Sequence, residues 1–132
     1  MVKKQGRSIQ QSPQLTIQEL LAAYVADIID HYGIGHTVST KEIKDTITNR
    51  YKSNRDSIIP SDYCYNRWNE GLLESTPKLF EYLDRGEYRV WGEGYLFNGV
   101  VLAHPKNGDE HEVGYCVDGQ RYIGKLPVYP GD

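Results

Sequence analysis

The chain has 132 residues, enough for one domain whose modest core needs neither metals nor disulfides. With 39% hydrophobic residues and a mean hydropathy of -0.61, it has no run near the roughly 18 apolar residues of a membrane span. The polar start, residues 1–11, lacks the apolar core of a secretion signal, so a soluble cytoplasmic protein is expected.

The net charge of -3 argues against a simple basic nucleic-acid binder, but the charge is uneven. Residues 1–10 carry Lys3, Lys4 and Arg7 and no acid, and most of the acidic excess follows Gly71. A basic front with an acidic back is compatible with DNA binding of moderate affinity and steep salt dependence. Cys64 and Cys116 lie far apart in no metal-binding spacing, and His31, His36, His104 and His111 show no ligand register. Two reduced thiols, no metal and no cofactor are expected.

In chain order, residues 1–14 read as a disordered basic arm. Thr16 with Glu19 forms a capping-box pattern that opens a helix. Leu20, Leu21, Tyr24, Val25, Ile28 and Ile29 give it one apolar stripe, and Gly33 and Gly35 end it. Val38 reads as a short extended link. Ser39 or Thr40 caps a second helix, with Glu42 in its first turn and Ile43, Ile47 and Tyr51 on one face. Residues 53–59 form a polar connection.

Pro60 suits the first turn of a third helix. There Cys64, Trp68 and Leu72 would share the buried face, and Asp62, Tyr65, Asn66 and Asn69 the exposed one. After Pro77 the pattern turns strand-like. Residues 79–83 and 87–91 flank Asp84-Arg85-Gly86 as a hairpin, 95–103 is β-prone, and 113–117 and 120–123 flank the turn Asp118-Gly119. This order predicts an α+β winged helix-turn-helix over residues 15–95, with three N-terminal helices and a hairpin wing. Residues 96–132 would add C-terminal strands packed on the same domain.

The segment 60–69, PSDYCYNRWN, carries the densest set of nucleic-acid-reading side chains. Arg67 can fork onto a guanine or a phosphate, Asn66 and Asn69 can pair with adenine, and Tyr63 and Tyr65 can stack or bond to phosphate. Ser61 can meet a phosphate at a helix N-terminus. Lys41, Lys44 and Arg55 are candidate phosphate contacts, and Arg85 and Arg89 would stand on the wing. The plainer reading makes Cys64 and Trp68 core, Asp62 a helix cap, the basic residues a solvated face, and the tyrosines half-buried strand residues. Enzyme signatures are weak. Glu42-Ile43-Lys44 matches only the end of a nuclease motif, on a predicted helix and without an upstream strand aspartate; no hydrolase, phosphate-loop or zinc-protease motif occurs.

The string from Pro60 to Arg67, followed by Phe80-Glu81-Tyr82-Leu83 and Arg85-Gly86-Glu87-Tyr88, resembles a largely uncharacterised bacterial domain found alone or joined to restriction-type nucleases. It also resembles the winged helix-turn-helix modules associated with restriction endonucleases. The likeness covers about residues 16–95. It implies recognition of duplex DNA, including modified DNA, in restriction or phage defence, alone or with a nuclease or other defence protein as partner. Without nucleic-acid binding, the same composition would suit a protein-docking module or an accessory domain of a nuclease.

Overall fold

Thr16 and Glu19 exchange side-chain and backbone hydrogen bonds of 2.8 and 3.1 Å, which satisfy free N–H groups at the start of the first helix. A computed structural model describes residues 15–105 and 108–124. Helix α1 spans Ile17–Tyr32 and stops at Gly33, whose φ of 89° carries the chain out of helical geometry. Strand β1 (Thr37–Ser39) leads straight into α2 (Thr40–Tyr51), capped by Ser39 and Glu42 through a second reciprocal pair. Both helices follow the expected pattern, as does the apolar stripe: Leu20, Leu21, Tyr24, Val25, Ile43 and Ile47 are all buried.

The third helix does not form. Residues Pro60–Tyr63 make a single 3-10 turn, Cys64 is extended, and Arg67–Trp68 form strand β2. Five strands follow: β3 (Phe80–Asp84), β4 (Glu87–Val90), β5 (Gly99–Ala103), β6 (His111–Val117) and β7 (Gln120–Ile123). They form two sheets. One has the order β1-β4-β3, and the other β2-β5-β6-β7, with β2 parallel to β5. The winged helix-turn-helix is therefore corrected to a sheet-rich fold, because the residues assigned to its recognition helix pair with strands instead.

The reason is visible in the backbone. Tyr65 N–H donates to the Phe80 carbonyl at 2.8 Å, Leu79 N–H to the Tyr63 carbonyl at 2.7 Å, and Leu102 N–H to the Asn66 carbonyl at 3.0 Å. These bonds take groups that a helix would have used internally. The spacing of Cys64, Trp68 and Leu72 mimics a helical stripe, yet Cys64 and Tyr65 are neighbours that serve different cores. Cys64 joins the helices, Ile58, Leu79, Phe80, Tyr88 and Val90. Tyr65 joins Phe97, Val101 and Cys116, with Trp68, Trp91 and Tyr95 against them. Segment 64–68 is thus a seam between two lobes.

Both expected hairpins are present. At the second, Asp118 (φ 49°) and Gly119 (φ 82°) occupy left-handed conformations that suit a tight two-residue turn. At Gly114 an added Cβ would collide with the Tyr122 carbonyl oxygen, so β6 and β7 approach closely only because that position is glycine. The basic arm at 1–14 lies outside the described residues.

Candidate functional site: the seam and the cleft beside it

The side chains expected to read DNA are largely occupied in holding the seam. Tyr65 is 2% exposed; its hydroxyl donates to the Gly92 carbonyl at 2.7 Å and accepts from Tyr95 N–H at 3.0 Å. Asn66 makes a two-way bridge to Tyr82: its Nδ2 donates to the carbonyl and its Oδ1 accepts from the N–H, each at 2.8 Å. The amide continues the ladder of β3 where no strand lies alongside. Asn69 donates to the Asp62 carboxylate at 2.6 Å and to the Ser61 hydroxyl at 3.2 Å. Asp62 therefore ties a loop rather than capping a helix.

Arg67 lies over the ring of Tyr82, 4.3 Å from its centroid, within cation–π range. Tyr63 packs half-buried against the helical core, and its phenol is pushed up by burial and by the charge of Asp62. The supposition that Tyr65, Asn66 and Asn69 project outward together on a helix is corrected: Tyr65 is buried, and the half-buried Asn66 and Asn69 both bond to partners within the chain.

The remaining candidates stand elsewhere. Lys41 and Arg55 both pair with Asp45. Arg50 pairs with Asp27, and Arg89 with Glu81 at 3.5 Å. Lys44 and Arg85 make no ion pair among the described residues. Thr40 N–H donates to the Gly86 carbonyl at 2.8 Å, which sets the start of α2 against the tip of the first hairpin. Lys41 and Lys44 follow Thr40 in the first turns of α2, and Arg85 precedes Gly86, so all three belong to the segments this bond joins.

Two charged residues escaped the sequence reading. The Arg121 side chain is 5% exposed. Its Nη1 donates to the carbonyls of Cys64 at 2.7 Å, Arg67 at 2.6 Å and, longer, Tyr65 at 3.3 Å. Nε and Nη2 meet the two oxygens of Glu74 at 3.2 Å each. The fork thus clips β7 to the seam and neutralises itself on Glu74. Lys78 is buried as well, 7% exposed, and reaches the Asp62 carbonyl at 3.5 Å. Burial, then the nearby Arg121 cation, brings its ammonium down to about 8. No local pattern marks Arg121, because its partners lie 47 to 57 positions away. Lys78 left a faint signal, a lone cation between Pro77 and the apolar pair Leu79-Phe80.

Both residues border a cleft of about 710 Å³ beside the seam, with Tyr65, Glu74, Glu93 and Tyr95 among its walls. Tyr95 stacks on Trp91 at 4.2 Å between centroids, fixing one side of the opening. Cys64 and Cys116 are free and buried, and burial pushes both thiols up, away from the reactive thiolate. Among the described residues no group of three His, Cys, Asp or Glu could hold a metal ion, and no helix is long and apolar enough to cross a membrane.

A family model described as a domain of unknown function, DUF7225, matches residues 16–123, which takes in both lobes and the seam. The chain belongs to that family. It is also 40% identical over 96 residues to an uncharacterised protein, YnaC, of Bacillus subtilis strain 168. That stretch covers 72% of this chain and 36% of the relative, so the match spans about a third of YnaC. No solved structure matches. The expectation of an uncharacterised bacterial domain agrees with both matches; the expected link to winged-helix modules is not supported by them.

Proposed function

We propose that this DUF7225 domain binds duplex DNA through its phosphate backbone, along the edge where α2 meets the first hairpin. The observation that carries this reading is the Thr40–Gly86 backbone bond, which joins the segment carrying Lys41 and Lys44 to the turn carrying Arg85. Asp45 is shared by Lys41 and Arg55, so one carboxylate faces two cations. Glu42 is held in its capping box, and Asp84 accepts from Arg85 N–H at 2.7 Å. The interspersed acids keep the attraction modest. With Tyr65, Asn66 and Asn69 turned inward, binding on this edge is largely indifferent to sequence.

Fluorescence anisotropy with a labelled duplex provides the test. The full chain should bind with micromolar affinity in dilute salt and lose most of that affinity near physiological salt, as about three phosphate contacts would require. Replacing Lys41, Lys44 and Arg85 together by alanine should weaken binding about tenfold or more at low salt. An unchanged titration for the triple variant, or no binding by the wild-type chain at low salt, would remove the proposal.

A further inference from the structure

The cleft beside the seam has a polarity that the DNA reading does not use. Lys78 forms part of its inner wall, more than nine-tenths buried, and makes one long hydrogen bond to the Asp62 carbonyl. An ammonium carries three donors, so this cation is under-satisfied where it sits. Its charged neighbours do not answer it. Arg121 is itself cationic, and Glu74 is held on that guanidinium by two bonds. Asp62 offers Lys78 its backbone oxygen, while its carboxylate accepts from Asn69.

The mouth has the opposite sign. Glu93 and Asp118 line the same cleft and are both exposed. Tyr65, Tyr95 and Tyr122 give it aromatic walls. The Tyr65 hydroxyl is already committed to Gly92 and Tyr95, so that residue acts as a surface rather than a donor. A simple anion would have to pass the two acids, and a simple cation would meet Lys78 inside. A dipolar ligand satisfies both ends, and the volume lies within the range of about 300–1,000 Å³ typical of small-molecule sites.

We propose that this cleft binds a small zwitterionic carboxylate of amino-acid to dipeptide size, its carboxylate on Lys78 and its ammonium toward Glu93 and Asp118. The site is independent of the edge proposed to contact DNA, so either can fail without the other.

The full chain, labelled with nitrogen-15, is titrated with glycyl-L-phenylalanine and followed by amide chemical shifts. Saturable shifts are expected at Gly94, Tyr95, Gly119 and Gln120, with a dissociation constant of about 1 mM or tighter. Glycyl-L-phenylalaninamide, which lacks the carboxylate, should bind about tenfold or more weakly, and so should the dipeptide on Lys78→Met. Removing a buried cation that has no carboxylate partner is not expected to unfold the chain, and retained amide dispersion checks this. N-acetyl-glycyl-phenylalanine on the wild-type chain, and the dipeptide on the double variant Glu93→Gln with Asp118→Asn, should each bind about threefold weaker. No saturation by about 10 mM would overturn the site, as would equal binding of dipeptide and amide. Equal binding of the dipeptide and its N-acetyl form would overturn the assigned polarity. If Lys78→Met loses its fold, the comparison of dipeptide with amide on the wild-type chain decides alone.

Discussion

At the head of α2, Ser39 and Glu42 bond to each other's backbone within a single turn. At the seam, Asn66 finds its partner 16 positions away and the carbonyls of Cys64 and Arg67 find theirs more than 50 positions away. Both stretches are rich in polar residues beside apolar ones, and both read from composition as helix starts. In α2 the side chains complete a structure that the local backbone already prefers. At the seam they replace a structure that the local backbone lacks. Asn66 is the clearest instance, because its amide mimics the peptide group of a missing strand.

Substitutions at three positions separate these two modes. Arg121→Ala should have the largest effect. It leaves three carbonyls and Glu74 without their shared donor, and the loss should be about 3 kcal/mol or more in urea unfolding. Arg121→Lys should recover little of it, since an ammonium lacks the planar fork.

Asn66→Ala comes next. Had residues 61–69 been helical with Asn66 exposed, alanine would have been neutral or mildly stabilising. The seam instead predicts a loss of about 2 kcal/mol, because the N–H and carbonyl of Tyr82 lose both partners. A gain in stability would contradict the placement of that side chain. Ser39→Ala should be the mildest, about 1 kcal/mol for a lost cap, with Glu42 still near the helix N-terminus. Should Ser39→Ala prove more damaging than Asn66→Ala, the contrast between local and distant support would be reversed.

What was legible in the sequence follows the same division. The capping box of α1, a cap at Ser39 or Thr40 for α2, the α1 stripe and the turns at Asp84-Arg85-Gly86 and Asp118-Gly119 rest on contacts within a few residues; the structure contains them, with Ser39 as the α2 cap and Glu42 completing a second box. The seam was misread because Cys64, Trp68 and Leu72 fall at helical spacing while the backbone partners that decide the matter, Leu79, Phe80 and Leu102, belong to other segments. The aromatic content of 63–68 suits a strand, a signal that the helical spacing and Pro60 mask. Tyr63, Tyr65, Asn66, Arg67 and Asn69 all lie in or beside the seam. Their orientation was not accessible, since one residue of alternation in an extended chain sends Cys64 and Tyr65 to different interiors. Lys78 and Arg121, which give the cleft its charge, depended on that same fold.

The Arg121 clip also bears on how the chain comes together. Its guanidinium sits almost at the end of the described residues, yet it answers oxygens from the middle of the chain. As the polypeptide is made, the helices and the first hairpin can settle early, while those oxygens stay hydrated until β7 arrives. Strand β7, the last among the described residues, therefore closes the seam, and the two interiors, which share adjacent residues of one short stretch, should melt together in a single calorimetric transition.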